Sequence, residues 1–173
     1  MRQMIELSRV ALLLSLQATA QPPTDFSGVW EMDPSRSASA LQATPIGPVT
    51  LIINHQSTDL SIETRRKEPG KRAISSEVLT YKIDGPEISN VDNAGVEIKA
   101  KARWDGTKLV AETVRKIQGS TVTTTHVFSL NEGGKELTID KTLTVQHGYQ
   151  FQGANNTGTG RDVFVRRKGP TRK

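Results

Sequence analysis

The stretch at residues 96–117 limits the fold more than any other. Val96, Ile98, Ala100, Ala102 and Trp104 alternate with Glu97, Lys99, Lys101 and Arg103. A period of two places one apolar face on a core and one charged face in water, the pattern of a half-buried strand. Asp105-Gly106 follows, a pair suited to a type I′ turn, which needs positive φ at both central residues. Residues 108–117 then return. An antiparallel, one-sided hairpin is expected, and an all-β chain around it.

Further strands are expected at residues 26–32, 49–55, 60–65, 74–83, 88–91, 121–130, 137–145, 149–152 and 163–167, separated by Gly, Pro, Asn and Asp turns. A single helical turn is compatible with residues 38–43, and residues 153–160 read as a Gly/Asn/Thr loop. The fold class expected is all-β: an antiparallel up-and-down meander of about 8–10 strands with short connections. An open meander would leave two bare edges, and closure into a barrel removes them. A sandwich would need longer crossing connections.

Residues 1–20 carry Arg2 and Arg9, an apolar run over residues 10–16, and Ala18-Thr19-Ala20, which fits a small-residue cleavage site. A secretory signal peptide cleaved near Ala20 is expected, and a secreted or periplasmic protein with it. The alternative for the same run is an N-terminal membrane anchor; the run is short for a spanning helix. Residues 21–168 form one expected domain, without a transmembrane segment, and residues 169–173 a disordered tail. A monomer is expected. No cysteine is present, so burial and sheet hydrogen bonding must hold the domain, and thiol chemistry and thiolate metal sites are excluded. The formal charge is +5; loss of Arg2, Arg9 and Glu6 with residues 1–20, a net +1, leaves +4. The basic residues are scattered apart from Arg65-Arg66-Lys67 and the C-terminal runs, and aromatics do not interleave with them, so no nucleic-acid partner is expected.

Gly28-Val29-Trp30 on the first strand resembles the Gly-x-Trp signature of lipocalin-like (calycin) β-barrels. The runs Tyr81-Lys82-Ile83-Asp84-Gly85 and Ala102-Arg103-Trp104-Asp105-Gly106 look like those of exported bacterial lipocalin-like domains of unassigned function. The resemblance implies that Gly28 and Trp30 help to close one barrel end, with a basic residue near the last strand (Arg161, Arg166 or Arg167) packed across the tryptophan. Trp104, on an apolar strand face, is read as a second closing residue rather than a ligand stacker.

Turn lengths set the pairing register. An Asp105-Gly106 turn pairs Trp104 with Thr107, Ala102 with Leu109 and Ala100 with Ala111. A Gln118-Gly119 turn pairs Arg115 with Val122, Thr113 with Thr124 and Ala111 with His126. A tip at residues 132–135 pairs Phe128 with Ile139 and His126 with Lys141. On this lattice the inner face carries Thr113, Arg115, Thr124, His126 and Lys141 along its middle. Buried cations need partners, so three readings stand: the belt meets the acidic head of a ligand, the register is wrong by one and the side chains face out, or these side chains snorkel to an open rim.

The histidines show no short metal-ligand spacing, so no metal or other cofactor is expected. No Gly-x-Ser-x-Gly elbow or paired carboxylate stands out, the acids falling mostly on outward strand positions or in turns, and no enzyme is expected. The function expected is binding of a small apolar or amphipathic ligand inside an exported, non-enzymatic barrel. The alternative is a structural or interaction module of the cell envelope with a packed interior and a basic outer face.

Overall fold

The computed structural model describes residues 24–38, 48–67, 73–147 and 156–167. Ten strands follow one another: β1 (Gly28–Met32), β2 (Val49–His55), β3 (Asp59–Lys67), β4 (Ile74–Lys82), β5 (Ile88–Val91), β6 (Glu97–Asp105), β7 (Lys108–Ile117), β8 (Ser120–Leu130), β9 (Glu136–Gln146) and β10 (Asn156–Arg166). A 3₁₀ turn at Pro34–Arg36 follows β1; Asp33 caps it and Pro34 opens it. The signal peptide, the C-terminal tail, and the expected strand at residues 149–152 lie outside the described residues, as does most of the compatible helical turn at residues 38–43.

All ten strands form one antiparallel sheet in the order β4-β3-β2-β1-β10-β9-β8-β7-β6-β5. The first and last strands pair, so the sheet curls into a nearly closed barrel. Its edges, β4 and β5, fall mid-chain. They meet through side chains instead of a backbone ladder. Asn90 on β5 accepts from the Thr80 amide at 2.9 Å and donates to the Thr80 carbonyl at 3.0 Å. Asn93 donates to the Ser76 carbonyl at 2.7 Å. The side-chain amide thus takes the place of a neighbouring peptide group, which satisfies backbone groups an edge would leave bare.

Two sequence expectations are corrected. Residues 156–160 are strand, not loop: Gly158 opposes Leu143 and Gly160 opposes Lys141. The β9 ladder recruits a Gly/Thr segment whose own composition reads as loop. The β6–β7 turn is also displaced. Asp105 pairs with Lys108 and Trp104 with Leu109, so Gly106-Thr107 forms the tip. Only Gly106 has positive φ there (+61°), the pattern of a type II′ turn. Both Gln118 (φ +48°) and Gly119 (φ +80°) have positive φ, so the I′ pattern belongs to the β7–β8 turn. The β6–β7 slip is two residues, so every side chain keeps its face. The expected β7–β8 and β8–β9 pairs all hold.

The core fills one end of the barrel. Phe26, Trp30, Leu109, Phe128, Leu137 and Phe164 are almost fully buried there, each contributing roughly 1.5–3 kcal/mol by burial. Trp30 donates to the Phe26 carbonyl at 2.9 Å. Arg166 lies 4.2 Å from the Trp30 ring centroid. Its guanidinium donates to the carbonyls of Ser27 at 2.6 Å and Gly134 at 2.9 Å. Of the three candidate arginines, Arg166 therefore covers the tryptophan. Arg161 pairs with Asp140 and Arg167 with Glu31. Gly28 has φ +139°, and a Cβ there would stand 2.9 Å from the Arg166 guanidinium. The glycine leaves the space in which Arg166 crosses Trp30. Trp104 stacks on Phe26 at 6.0 Å and lies 5.6 Å from His55, extending the same plug.

Candidate functional site

Past the plug, the interior is not filled. A cavity of about 420 Å³ occupies the other part of the barrel. Inward positions on each strand supply its wall: Leu51 on β2, Ile62 on β3, Leu79 on β4, Phe128 on β8 and Ile139 on β9 give an apolar surface. On β7, small Ala111 occupies the inner face opposite His126. On β10, Gly158 and Gly160 share the inner register with Asp162, Phe164 and Arg166.

Thr113, Arg115, Thr124, His126 and Lys141 all line this cavity. The one-residue slip is thereby ruled out. Thr113 opposes Thr124, Ala111 opposes His126, and His126 opposes Lys141, so the belt crosses three adjacent strands at one level. Trp30 and Trp104 do not line it; they belong to the closed end.

The cavity also holds residues that the sequence reading misplaced. Asp162 is wholly buried and Glu77 lines the wall, where the acids were expected mostly on outward positions or in turns. Asp162 opposes Ile139, so it shares a face with Lys141. Taking β10 as beginning near residue 156 would have revealed this; a strand beginning at residue 163 hides it. Exposed Arg66 and Asn93 stand at the cavity's rim.

Each interior cation has a carboxylate. Lys141 Nζ forms an ion pair with Asp162 Oδ2. Neither Asp162 oxygen makes a hydrogen bond of good geometry among the described residues, so the contact is chiefly electrostatic. Arg115 reaches Glu77 at 3.0 Å and Asp92 at 3.8 Å, tying β7 to β4 and to the residue after β5. His126 carries no charge at neutral pH. Burial, and then Lys141, Arg66 and Arg115, push its pKa down to about 3. Tyr81 on the same wall is kept protonated: burial and the Glu77 carboxylate raise its pKa. Among the described residues, Thr113, Thr124 and His126 make no side-chain hydrogen bond.

The other two histidines stand apart. His55 packs against Phe26 at the closed end, and His147 lies near Ser120 at 3.3 Å on the exposed side. No group of three His, Cys, Asp or Glu side chains gathers into a metal-binding cluster among the described residues. No described helix is long and apolar enough to cross a membrane.

No protein-family model matches the chain, and no curated protein matches it. Solved structures do. A secretory abundant heat soluble protein from Ramazzottius varieornatus is similar with a TM-score of 0.54 at 18% identity, over 82% of this chain and 95% of that one. Secretory abundant heat soluble protein 4 from the same organism gives 0.53 at 15% identity, over 86% and 100%. Lipid binding protein 8 from Caenorhabditis elegans gives 0.50 at 12% identity, over 82% and 95%. At such identities the likeness is one of fold. What they share is an antiparallel up-and-down β-barrel, here nearly closed.

Proposed function

We propose that this chain is an exported, non-enzymatic barrel that holds a small amphipathic ligand, its apolar part against Leu51, Ile62, Leu79 and Ile139 and its polar end at the belt of Thr113, Thr124 and His126. One observation carries the reading: a cavity of about 420 Å³ whose wall joins an apolar patch of Leu51, Ile62, Leu79, Phe128 and Ile139 to a polar part that includes Thr113, Thr124 and His126. That volume falls within the roughly 300–1,000 Å³ of small-molecule sites, and the lining is more polar than is usual for them. The Caenorhabditis elegans neighbour is a lipid binding protein by name, which agrees with this reading through fold likeness alone. The envelope-module alternative required a packed interior, and nothing in the described barrel favours it over the cavity.

Displacement of the fluorescent dye 1-anilinonaphthalene-8-sulfonate tests the proposal. Long-chain alcohols or acids are expected to displace the dye saturably, with affinity rising with chain length. Dye binding that no amphiphile displaces would count against it. Quenching of tryptophan is a poor readout, because neither Trp30 nor Trp104 touches the cavity.

A further inference from the structure

We infer that the head of the ligand carries no net charge and is held by hydrogen bonds, as the hydroxyl of a long-chain alcohol would be. The inference rests on the cavity being a ligand site and narrows the class of ligand. Arg115 and Lys141 first suggest an acidic head, but both are matched from within the protein. Arg115 donates to Glu77 at 3.1 Å with Asp92 close behind, and Lys141 is paired with the wholly buried Asp162. A carboxylate entering the belt would compete with these partners and would bring a further negative charge beside Glu77 and Asp162. Asp162 is wholly buried, so at its pair with Lys141 solvation offsets neither change. Arg66 adds positive charge only at the rim, where it is exposed and its field is screened. His126 adds none.

Neutral hydrogen-bonding groups are what remain. Thr113 is 7% exposed and lines the cavity. It lies opposite Thr124, one step along the inner face from His126. Each threonine hydroxyl both donates and accepts, and a neutral imidazole has one donor and one acceptor nitrogen. Among the described residues only the Asp162 oxygens are buried without a hydrogen-bond partner, so these three groups face cavity space in which the polar end of a ligand can bond to them. A hydroxyl head, itself donor and acceptor, complements them without disturbing either ion pair.

Dodecan-1-ol and dodecanoate, matched in chain length and compared by dye displacement at pH 8, separate the two kinds of head. The alcohol is expected to bind tighter by on the order of tenfold. Thr113→Val with Thr124→Val is expected to weaken the alcohol by a similar factor and to leave dodecanoate unchanged. Asp162→Asn frees Lys141, and Glu77→Gln frees Arg115; each is expected to turn the preference toward dodecanoate. The Glu77 site is partly exposed, so it still reports if Asp162→Asn fails to fold. A wild-type preference for dodecanoate, a threonine pair that changes nothing, or carboxylate variants that keep the wild-type order would each overturn the inference while leaving the ligand site standing. Binding of neither amphiphile would remove the ligand site, and the inference with it.

Discussion

Lys141 and Asp162 show how the meaning of one side chain depends on another far along the chain. An inward lysine on its own invites replacement by methionine, which would relieve a buried charge. The pairing with Asp162 reverses that expectation. Lys141→Met leaves a wholly buried carboxylate without its cation, and losing one partner of a buried pair costs about 3–5 kcal/mol. Urea unfolding should show that loss. Lys141→Met combined with Asp162→Leu should recover most of it, because apolar replacement of a whole pair is often neutral or better. The lysine was legible in the sequence because it falls on a regular period-two lattice. The aspartate was not, because the glycines before it hide the strand that carries it.

His126 gives a pH dependence at the same scale. Its pKa is about 3 in the folded barrel, against roughly 6.5 in an unfolded chain. A depressed histidine favours the fold where it is neutral. Its contribution is therefore fully present above about pH 6.5 and is lost as pH falls from there toward about 3. The unfolded chain takes up the proton first, at up to about 1.4 kcal/mol per pH unit. Unfolding midpoints of wild type and His126→Gln, followed between pH 7 and pH 4, should converge as the pH drops. Parallel curves would show that the ring is not held neutral by its surroundings.

Among the elements, β6 to β9 were the most legible and the β4–β5 contact the least. Hairpins carry their own register, since a turn of known length fixes which residues oppose. The β6–β7 turn was displaced by two residues, yet the inner face survived because the period is also two. Nothing local specifies how two mid-chain edges meet. Asn90 does so by presenting its amide to the Thr80 backbone, and the expected short strand at residues 88–91 carries no local sign of which strand it will meet. Asn90→Ala removes both backbone contacts and the bond to the Thr80 hydroxyl. Amide exchange at Thr80 should quicken selectively, while amides in the β8–β9 ladder stay protected. The expected loss of stability is about 1–2 kcal/mol. Unchanged exchange at Thr80 would mean that the seam is held by other groups.

At the scale of the whole molecule, the barrel divides into a plugged end and a hollow one. Gly28, Trp30 and Arg166 organise the first, and the Gly-x-Trp resemblance pointed to it. The hollow end carries the belt of polar side chains on its inner face, where Ala111 on β7 opposes His126 and Gly160 on β10 opposes Lys141. Composition alone does not show whether such a face encloses space. That depends on how far the sheet curls, which pairing of β1 with β10 decides. The central claim is that this space receives a ligand. Titration of ¹⁵N-labelled protein with dodecan-1-ol, followed by amide and indole resonances, tests it most directly. Saturable shifts should concentrate at Thr113, Thr124, His126 and Lys141, with the Trp30 and Trp104 indoles unmoved. Shifts confined to outward strand positions, or none at saturating alcohol, would contradict it.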